Sequence, residues 1–278
     1  MKTRYVVRAS AVLLGAFGAL LVTGWLSGAA QSQEGPKSAY YVTSGNQGMN
    51  WILRRSSATP FAQAHWFTLN GFVFGEHAIV VDKSVRTLGT NFGGAGLPPS
   101  AGAEYTRRGK YTGTDFPYPP GLPTTSGILD ATTDGEYIYA IDYYNATVWR
   151  MDLDWTHPVE LFKVVANDEG IAYDPANGGS LWISSLSENQ TIRQYTLAGE
   201  VIFSFSIPTG ASALARDPQD HTLWFAYGFD GTFYHYSTSG QFLGSITHPS
   251  LAGWNYLGGE FRFSGAVGGA AKGGHTIP

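Results

Sequence analysis

Six ionisable residues stand near the starts of apolar segments: Glu76 and His77, Asp130, Asp168 and Glu169, and Glu260. Carboxylates drawn from separate segments suit a hard cation such as calcium, and a bound cation polarises a lactone or ester carbonyl. The plainer reading is that these side chains cap strand starts or satisfy hydrogen bonds between neighbouring sheets. No other set of residues suggests chemistry. The chain has no nucleophile elbow, phosphate-binding loop, dinucleotide fingerprint or zinc-type histidine spacing. The remaining histidines, His65, His157, His221, His235, His248 and His275, are scattered.

Whether the six meet depends on the elements that carry them, and a repeat declares those elements. ILDATTDGEYIYAIDYYNATVWRMDL from Ile128, GIAYDPANGGSLWISSLSENQTIRQYTLAGEVIFSF from Gly170 and ALARDPQDHTLWFAYGFDGTFYHYSTSGQFLGSI from Ala213 align. Tyr139, Trp182 and Trp224 are then 43 and 42 residues apart. A unit of that length built from short strands is the signature of a propeller blade. In the middle copy Asp174-Pro175 stops a first strand, Leu181-Trp182-Ile183 is a second, Thr191 to Tyr195 alternates as a third, and Val201 to Phe205 is a fourth. Such a sheet has two apolar faces and needs a neighbour on each.

Two weaker copies extend the array. One runs from about Asn70 to Phe116, with Ala78 to Val81 as an early strand, Ala103 to Tyr105 as a later one, and a lengthening at Gly93 to Pro99. The other is split between the ends of the chain. Ala39 to Thr43 and Asn50 to Arg54 lack a first strand, and Trp254 to Leu257 is a first strand with nothing after it. Joining them closes the ring and removes its open edges. The expectation is an all-β protein: a single β-propeller of five blades, each of four antiparallel strands, closed by N- and C-terminal strands that share one blade. Six blades is the runner-up, because the Asn91 to Gly102 and Thr112 to Ser126 stretches leave room for another count. In a propeller the first strand of every blade lines the axis, which is where the six ionisable residues would converge.

Residues 1–30 read as an export signal, residues 34–263 as the propeller and residues 264–278 as a flexible Gly/Ala-rich tail. Lys2, Arg4 and Arg8 precede an apolar run from Ala9 to Trp25, and Gly28-Ala29-Ala30 offers small residues for cleavage. The competing reading is an uncleaved anchor, since Ala9 to Ala30 is just long enough to span a bilayer. Either way the repeats lie outside the cytoplasm, at a periplasmic, cell-surface or extracellular address. The absence of Cys removes disulfides and thiolate metal sites, and a net charge of −4 argues against a nucleic-acid partner. Asn145-Ala146-Thr147 and Asn189-Gln190-Thr191 match a glycosylation pattern but fall in equivalent turns, where Asn is wanted for its backbone.

The repeat style, G-I-A-x-D-P from Gly170, then L-W-[IV] at Leu181 and a closing G-x-[FIV] turn, resembles the NHL, streptogramin-lyase-like and gluconolactonase-like propeller group. The lactonase-like members hold calcium in the channel through Glu, Asn and Asp, and here Glu169 has a counterpart. The streptogramin-lyase-like members use a His and Glu pair, which finds no match. The Gly258-Gly259-Glu260-Phe261 strand and small-residue tail are also similar to bacterial exported proteins of the PEP-CTERM type, without the membrane segment and basic cluster of their sorting signal. Two functions follow. The first is an exported, non-enzymatic binding or surface-interaction module, monomeric, without cofactor, whose partner is a protein, a polysaccharide or a small molecule. The second is a metal-assisted, lactonase-like hydrolase or lyase acting at the axial channel, for which calcium is one candidate ion.

Overall fold

The alternation of apolar and polar residues, broken at Asp-Pro, Asp-Gly and Gly-containing turns, folds into short antiparallel strands and almost no helix. The computed structural model describes residues 39–44, 49–54, 57–63, 67–69, 72–89, 101–186, 190–227 and 229–263. The expected export signal and C-terminal tail lie outside them. Among the described residues no helix is long and apolar enough to cross a membrane.

Five four-stranded sheets are arranged as blades. In chain order the first blade contributes β1 (Tyr40–Ser44), β2 (Met49–Arg54) and β3 (Ser57–Gln63), followed by a small hairpin of β4 (Phe67–Leu69) and β5 (Phe72–Phe74). The second comprises β6 (Glu76–Val81), β7 (Val85–Gly89), β8 (Gly102–Tyr105) and β9 (Tyr111–Phe116), and the third β10 (Ile128–Thr133), β11 (Tyr137–Asp142), β12 (Thr147–Asp152) and β13 (Val159–Lys163). The fourth comprises β14 (Asp168–Asp174), β15 (Ser180–Ser185), β16 (Thr191–Thr196) and β17 (Val201–Ser206). The fifth comprises β18 (Ser212–Arg216), β19 (Leu223–Ala226), β20 (Thr232–Tyr236) and β21 (Phe242–Thr247). The last strand, β22 (Tyr256–Phe261), pairs with β1 and becomes the innermost strand of the first blade. The ring is thus closed by its two ends, and the blade count is five.

Two details differ from the sequence reading, and a third falls where the structure gives no answer. Ser57–Gln63 supplies the fourth strand of the first blade and the β4–β5 hairpin follows it, in a stretch where the repeat is too degraded to align. Of the Thr112 to Ser126 connection, Thr112 to Phe116 is strand, the outer edge of the second blade, and only the proline-rich remainder connects. The lengthened segment at Gly93 to Pro99 lies outside the described residues.

Aromatic side chains fill the gaps between blades. Tyr139, Trp182 and Trp224 occupy equivalent second-strand positions, opposite Thr132, Ala172 and Ala215, and all three are buried. Trp182 packs with Leu214, Phe225 and Tyr236 of the next blade, and Trp224 with Tyr40 and Trp51 of the first. The outermost strands are the least covered: β17 and β21 leave Val201, Ile202, Phe203, Phe242 and Leu243 exposed.

Candidate functional site

All five innermost strands run in one direction, from an upper face where they begin to a lower face where they end, because each blade is antiparallel and each connection returns to the top. The strand starts at that upper face are Tyr256, Glu76, Ile128, Asp168 and Ser212. Just inside each start the pairing with the second strand slips by one residue. The repeated slip is a β-bulge, a device that bends a strand and re-aims a side chain. His77, Leu129 and Glu169 are the extra residues of their strands, with Leu257 and Ala213 at the corresponding places. A ring of bulge residues therefore surrounds the axis near its upper mouth.

The axis itself is tight. Across it, the Gly259 N–H donates to Asp130 Oδ1 at 3.0 Å, so strands of the first and third blades touch. Glycine is required here. A Cβ on Gly258 would stand 2.2 Å from the His77 carbonyl oxygen, and one on Gly259 would stand 2.3 Å from that of Ala213. Tyr40 and Thr43 tie the same two carbonyls by donating their hydroxyls to Ala213 and His77.

Glu76, Asp130, Asp168 and Glu260 have structural partners. Glu76 accepts hydrogen bonds from Asn50 Nδ2 at 2.6 Å and from the Tyr105 hydroxyl. Asp130 accepts three backbone N–H groups from three blades: Ala131 at 2.8 Å, Ile171 at 3.1 Å and Gly259 at 3.0 Å. Burial pushes its carboxyl up, against those three donors. Asp168 pairs with Arg193 at 3.1 Å and accepts the Val165 N–H, and burial carries its carboxyl up to about 6 despite the guanidinium. Glu260 lies lower on the axis, level with Thr132. Burial raises its carboxyl well above the usual range, opposed by hydrogen bonds from the Thr132 side chain and the backbone of Phe261 and Thr133. His77 is buried beside the Gly258 crossing.

Glu169 is different. It is fully buried, and neither carboxylate oxygen has a hydrogen-bond partner. Burial alone lifts its carboxyl to about 8. The Tyr143 hydroxyl is pushed up by burial first and then by the Glu169 charge. That hydroxyl donates to Asn167 Oδ1 at 3.0 Å, and Asn167 takes a left-handed turn (φ 68°) just before Asp168. Tyr143 meets Tyr144 edge to face at 5.6 Å, and Tyr144 is 51% exposed at the mouth. Tyr227 and Phe229, 40% and 60% exposed, occupy the equivalent second-to-third-strand turn of the fifth blade.

Calcium takes roughly six to eight oxygen ligands. Glu169 offers two free oxygens, but Glu76, Asp130 and Asp168 spend theirs on hydrogen bonds and an ion pair. Among the described residues no three His, Asp or Glu side chains group closely enough to hold a metal. The donor set does not fit calcium, and no chemical step is derived through one. The Asn145 turn holds as a turn: its N–H and side-chain amide donate to Asp142, at 3.2 and 2.8 Å. Asn189 lies outside the described residues.

Sequence reasoning passed over Asn50, Tyr105 and Arg193, which hold the acids in place, Asn167, which holds the Tyr143 hydroxyl, and the aromatic residues of the upper mouth. Tyr143, Tyr144, Tyr227 and Phe229 carried a usable signal. They are bulky aromatics in turns of the repeat where Asn, Asp, Ser and Gly are expected.

No known protein family matches the chain, and no curated protein matches it. Among solved structures it is similar to a chain of a nidogen/laminin complex, with a TM-score of 0.52 and 12% identity over 82% of this chain and 99% of that one. It is also similar to a Bacteroides caccae protein of unknown function (TM-score 0.46, 9% identity, 76% and 73% of the two chains). Virginiamycin B lyase from Staphylococcus aureus is a third (TM-score 0.43, 17% identity, 78% and 72%). At such identities the likeness is one of fold, and what this chain shares with the group its repeats resemble is the β-propeller.

Proposed function

We propose that this chain is an exported, non-enzymatic binding module that takes its ligand at the upper mouth of the propeller. One observation carries the reading: a buried carboxyl without a partner, Glu169, lies at the same mouth as the exposed aromatics Tyr144, Tyr227 and Phe229. An unsatisfied polar group beneath a rim of large rings is the composition of a ligand site, apolar area with few fixed polar groups. Export rests on the basic, apolar and small-residue succession of residues 1–30. The described chain also enters at Ala39 and leaves at Phe263, both on the lower face. A tether at either end would leave the upper mouth open. The hydrolase or lyase alternative has less support, since most of the axial acids are engaged.

The test is a binding screen of the purified exported chain against glycans, amines and small peptides, read by calorimetry. Ligands found should lose at least about tenfold in affinity when Tyr144, Tyr227 and Phe229 are all changed to Ala. A ligand indifferent to that triple change and to Glu169→Gln would place the binding surface elsewhere and overturn the proposal.

A further inference from the structure

The lower face carries its charge unevenly, and the topology sets the pattern. In the second blade the β6–β7 turn at 82–84 and the β8–β9 turn at 106–110 both fall on that face, and Val85 at the start of β7 pairs with Tyr105 at the end of β8. The two turns are therefore neighbours. Lys83 stands in the first, and Arg107, Arg108 and Lys110 in the second, all exposed. Arg262 is a fifth exposed cation at this corner, because the next residue, Phe263, donates its N–H at 2.7 Å to the carbonyl of Val81, two residues before Lys83. The acids of the corner already share a counter-ion: Arg86 pairs with Asp82 at 3.1 Å and with Glu104 at 3.6 Å. Six cations against two carboxylates leave a net charge of +4 there, in a chain whose own net charge is −4. Elsewhere the same face is acidic. Glu136 and Asp154 in turns of the third blade, Glu200 in the fourth and Asp220 in the fifth are exposed on it.

Among the described residues none of the five exposed cations has an ion-pair partner or a side-chain hydrogen bond, whereas Arg193 is held on Asp168. The turn beneath them is well held. Thr106 Oγ1 accepts the N–H groups of Arg108 and Lys110 at 3.4 and 3.2 Å, and the Thr106 carbonyl accepts that of Gly109 at 2.9 Å. A single anion read by shape calls for donors fixed in a fork. Several cations on an outer corner, each without a fixed partner, suit an extended negative field instead. The described chain also enters and leaves beside this corner, where Tyr40 pairs with Phe261 and Tyr41 donates its hydroxyl to the Arg107 carbonyl at 3.3 Å. Fourteen residues separate Trp25, the end of the apolar run, from Ala39, a span of at most about 50 Å when fully extended. A membrane that held the chain by that run would have this face within reach.

We infer that the lower corner of the second blade docks the chain on an anionic lipid surface, with the acids of the other blades tilting the propeller so that this corner leads. The inference rests on the exported reading above and is independent of what the upper mouth binds. Each Lys or Arg near such a surface strengthens binding about fivefold, and the attraction fades within a Debye length, about 10 Å at 0.1 M salt. The full chain is sedimented with vesicles of phosphatidylcholine alone and with vesicles in which one lipid in three is phosphatidylglycerol. Any apolar contribution of residues 9–25 is common to both, so the difference reads the charge. At about 0.05 M salt the anionic vesicles should bind at least tenfold more tightly, and at about 0.5 M the preference should vanish. Changing Arg107, Arg108 and Lys110 together to Gln should abolish the preference. Lys83→Gln combined with Arg262→Gln, on separate elements, should weaken it severalfold, so the test survives if one variant fails to fold. Lys110→Gln alone should weaken it about fivefold, and Lys163→Gln, the same change near the upper end of β13, should leave it unchanged. The triple change of Tyr144, Tyr227 and Phe229 to Ala should not affect vesicle binding, so the mouth and the corner are tested apart. Equal binding to both vesicles, or a preference intact in the Arg107, Arg108 and Lys110 variant, overturns the assignment. Salt-sensitive self-association without lipid preference, abolished by that same variant, also overturns it and gives the corner to the acidic turns of a second copy.

Discussion

Replacing Glu169 with Gln should stabilise the protein in alkaline solution and hardly change it in acid. The acid is buried with no partner on either oxygen, so the folded state holds it protonated up to about pH 8 rather than the ordinary 4.5. A carboxyl whose folded value is raised contributes stability that is fully present below its unfolded value and is lost as pH climbs through the folded one. Between pH 4.5 and pH 8 the wild type therefore loses ground, at about 1.4 kcal/mol per pH unit, to a total of about 5 kcal/mol. Gln has nearly the same shape and does not ionise, so its curve lacks this loss. Asp168, lifted to about 6, adds a loss of the same sign at lower pH, but it is present in both proteins and largely cancels in the difference. Urea unfolding of both proteins from pH 5 to pH 9 measures it. The Gln variant should be within about 1 kcal/mol of wild type at pH 5 and ahead by several kcal/mol at pH 9. Parallel curves would mean that the carboxyl is ionised and satisfied in the folded state, and the case for an unfilled site at the upper mouth would fail with it.

Three further outcomes test the architecture. Trp182→Ala and Trp224→Ala should each cost about 3–5 kcal/mol in urea unfolding, Trp182 the more, since it also donates its indole N–H to Asp174 at 3.2 Å and packs on Phe203 and Phe205. Removing Tyr256 to Phe261 should abolish the cooperative melt followed by circular dichroism, because it opens β1 and strips three blades of the strand that meets them at the axis; an unchanged melt would refute ring closure. Gly259→Ala forces a methyl to within 2.3 Å of the Ala213 carbonyl and should lower stability by at least about 1–3 kcal/mol.

The blades were legible because their determinants are local. Asp174-Pro175 stops a strand wherever it stands, Thr191 to Tyr195 alternates whatever lies beyond, and Trp182 and Trp224 recur because every blade must cover its neighbour with one large side chain. Closure was legible by subtraction, as two incomplete copies that complete each other. Ser57–Gln63 was not, since an outermost strand faces no next blade and tolerates a sequence with little pattern. The candidate acids were found as a group, but their division of labour was hidden. Asp130 is committed by N–H groups 41 and 129 residues away, and no spacing rule reveals such partners.

What separates Glu169 from the other acids is a single-residue slip in pairing. Without it the position would alternate back into the gap between blades, as Ile171 does against Tyr139 and Leu181. With it, each inner strand keeps its apolar residues between blades and still sends one side chain out of sequence toward the upper mouth. Four blades place His, Leu, Leu or Ala there, which cost the fold little. The fourth blade places a carboxyl there and gives it nothing to bind. A structural role would call for a partner, and Asp130, with three, shows what such a role looks like on the same axis. An acid retained at the mouth at the expense of stability, beside aromatic side chains left exposed, is best explained by what it meets when the propeller is not alone.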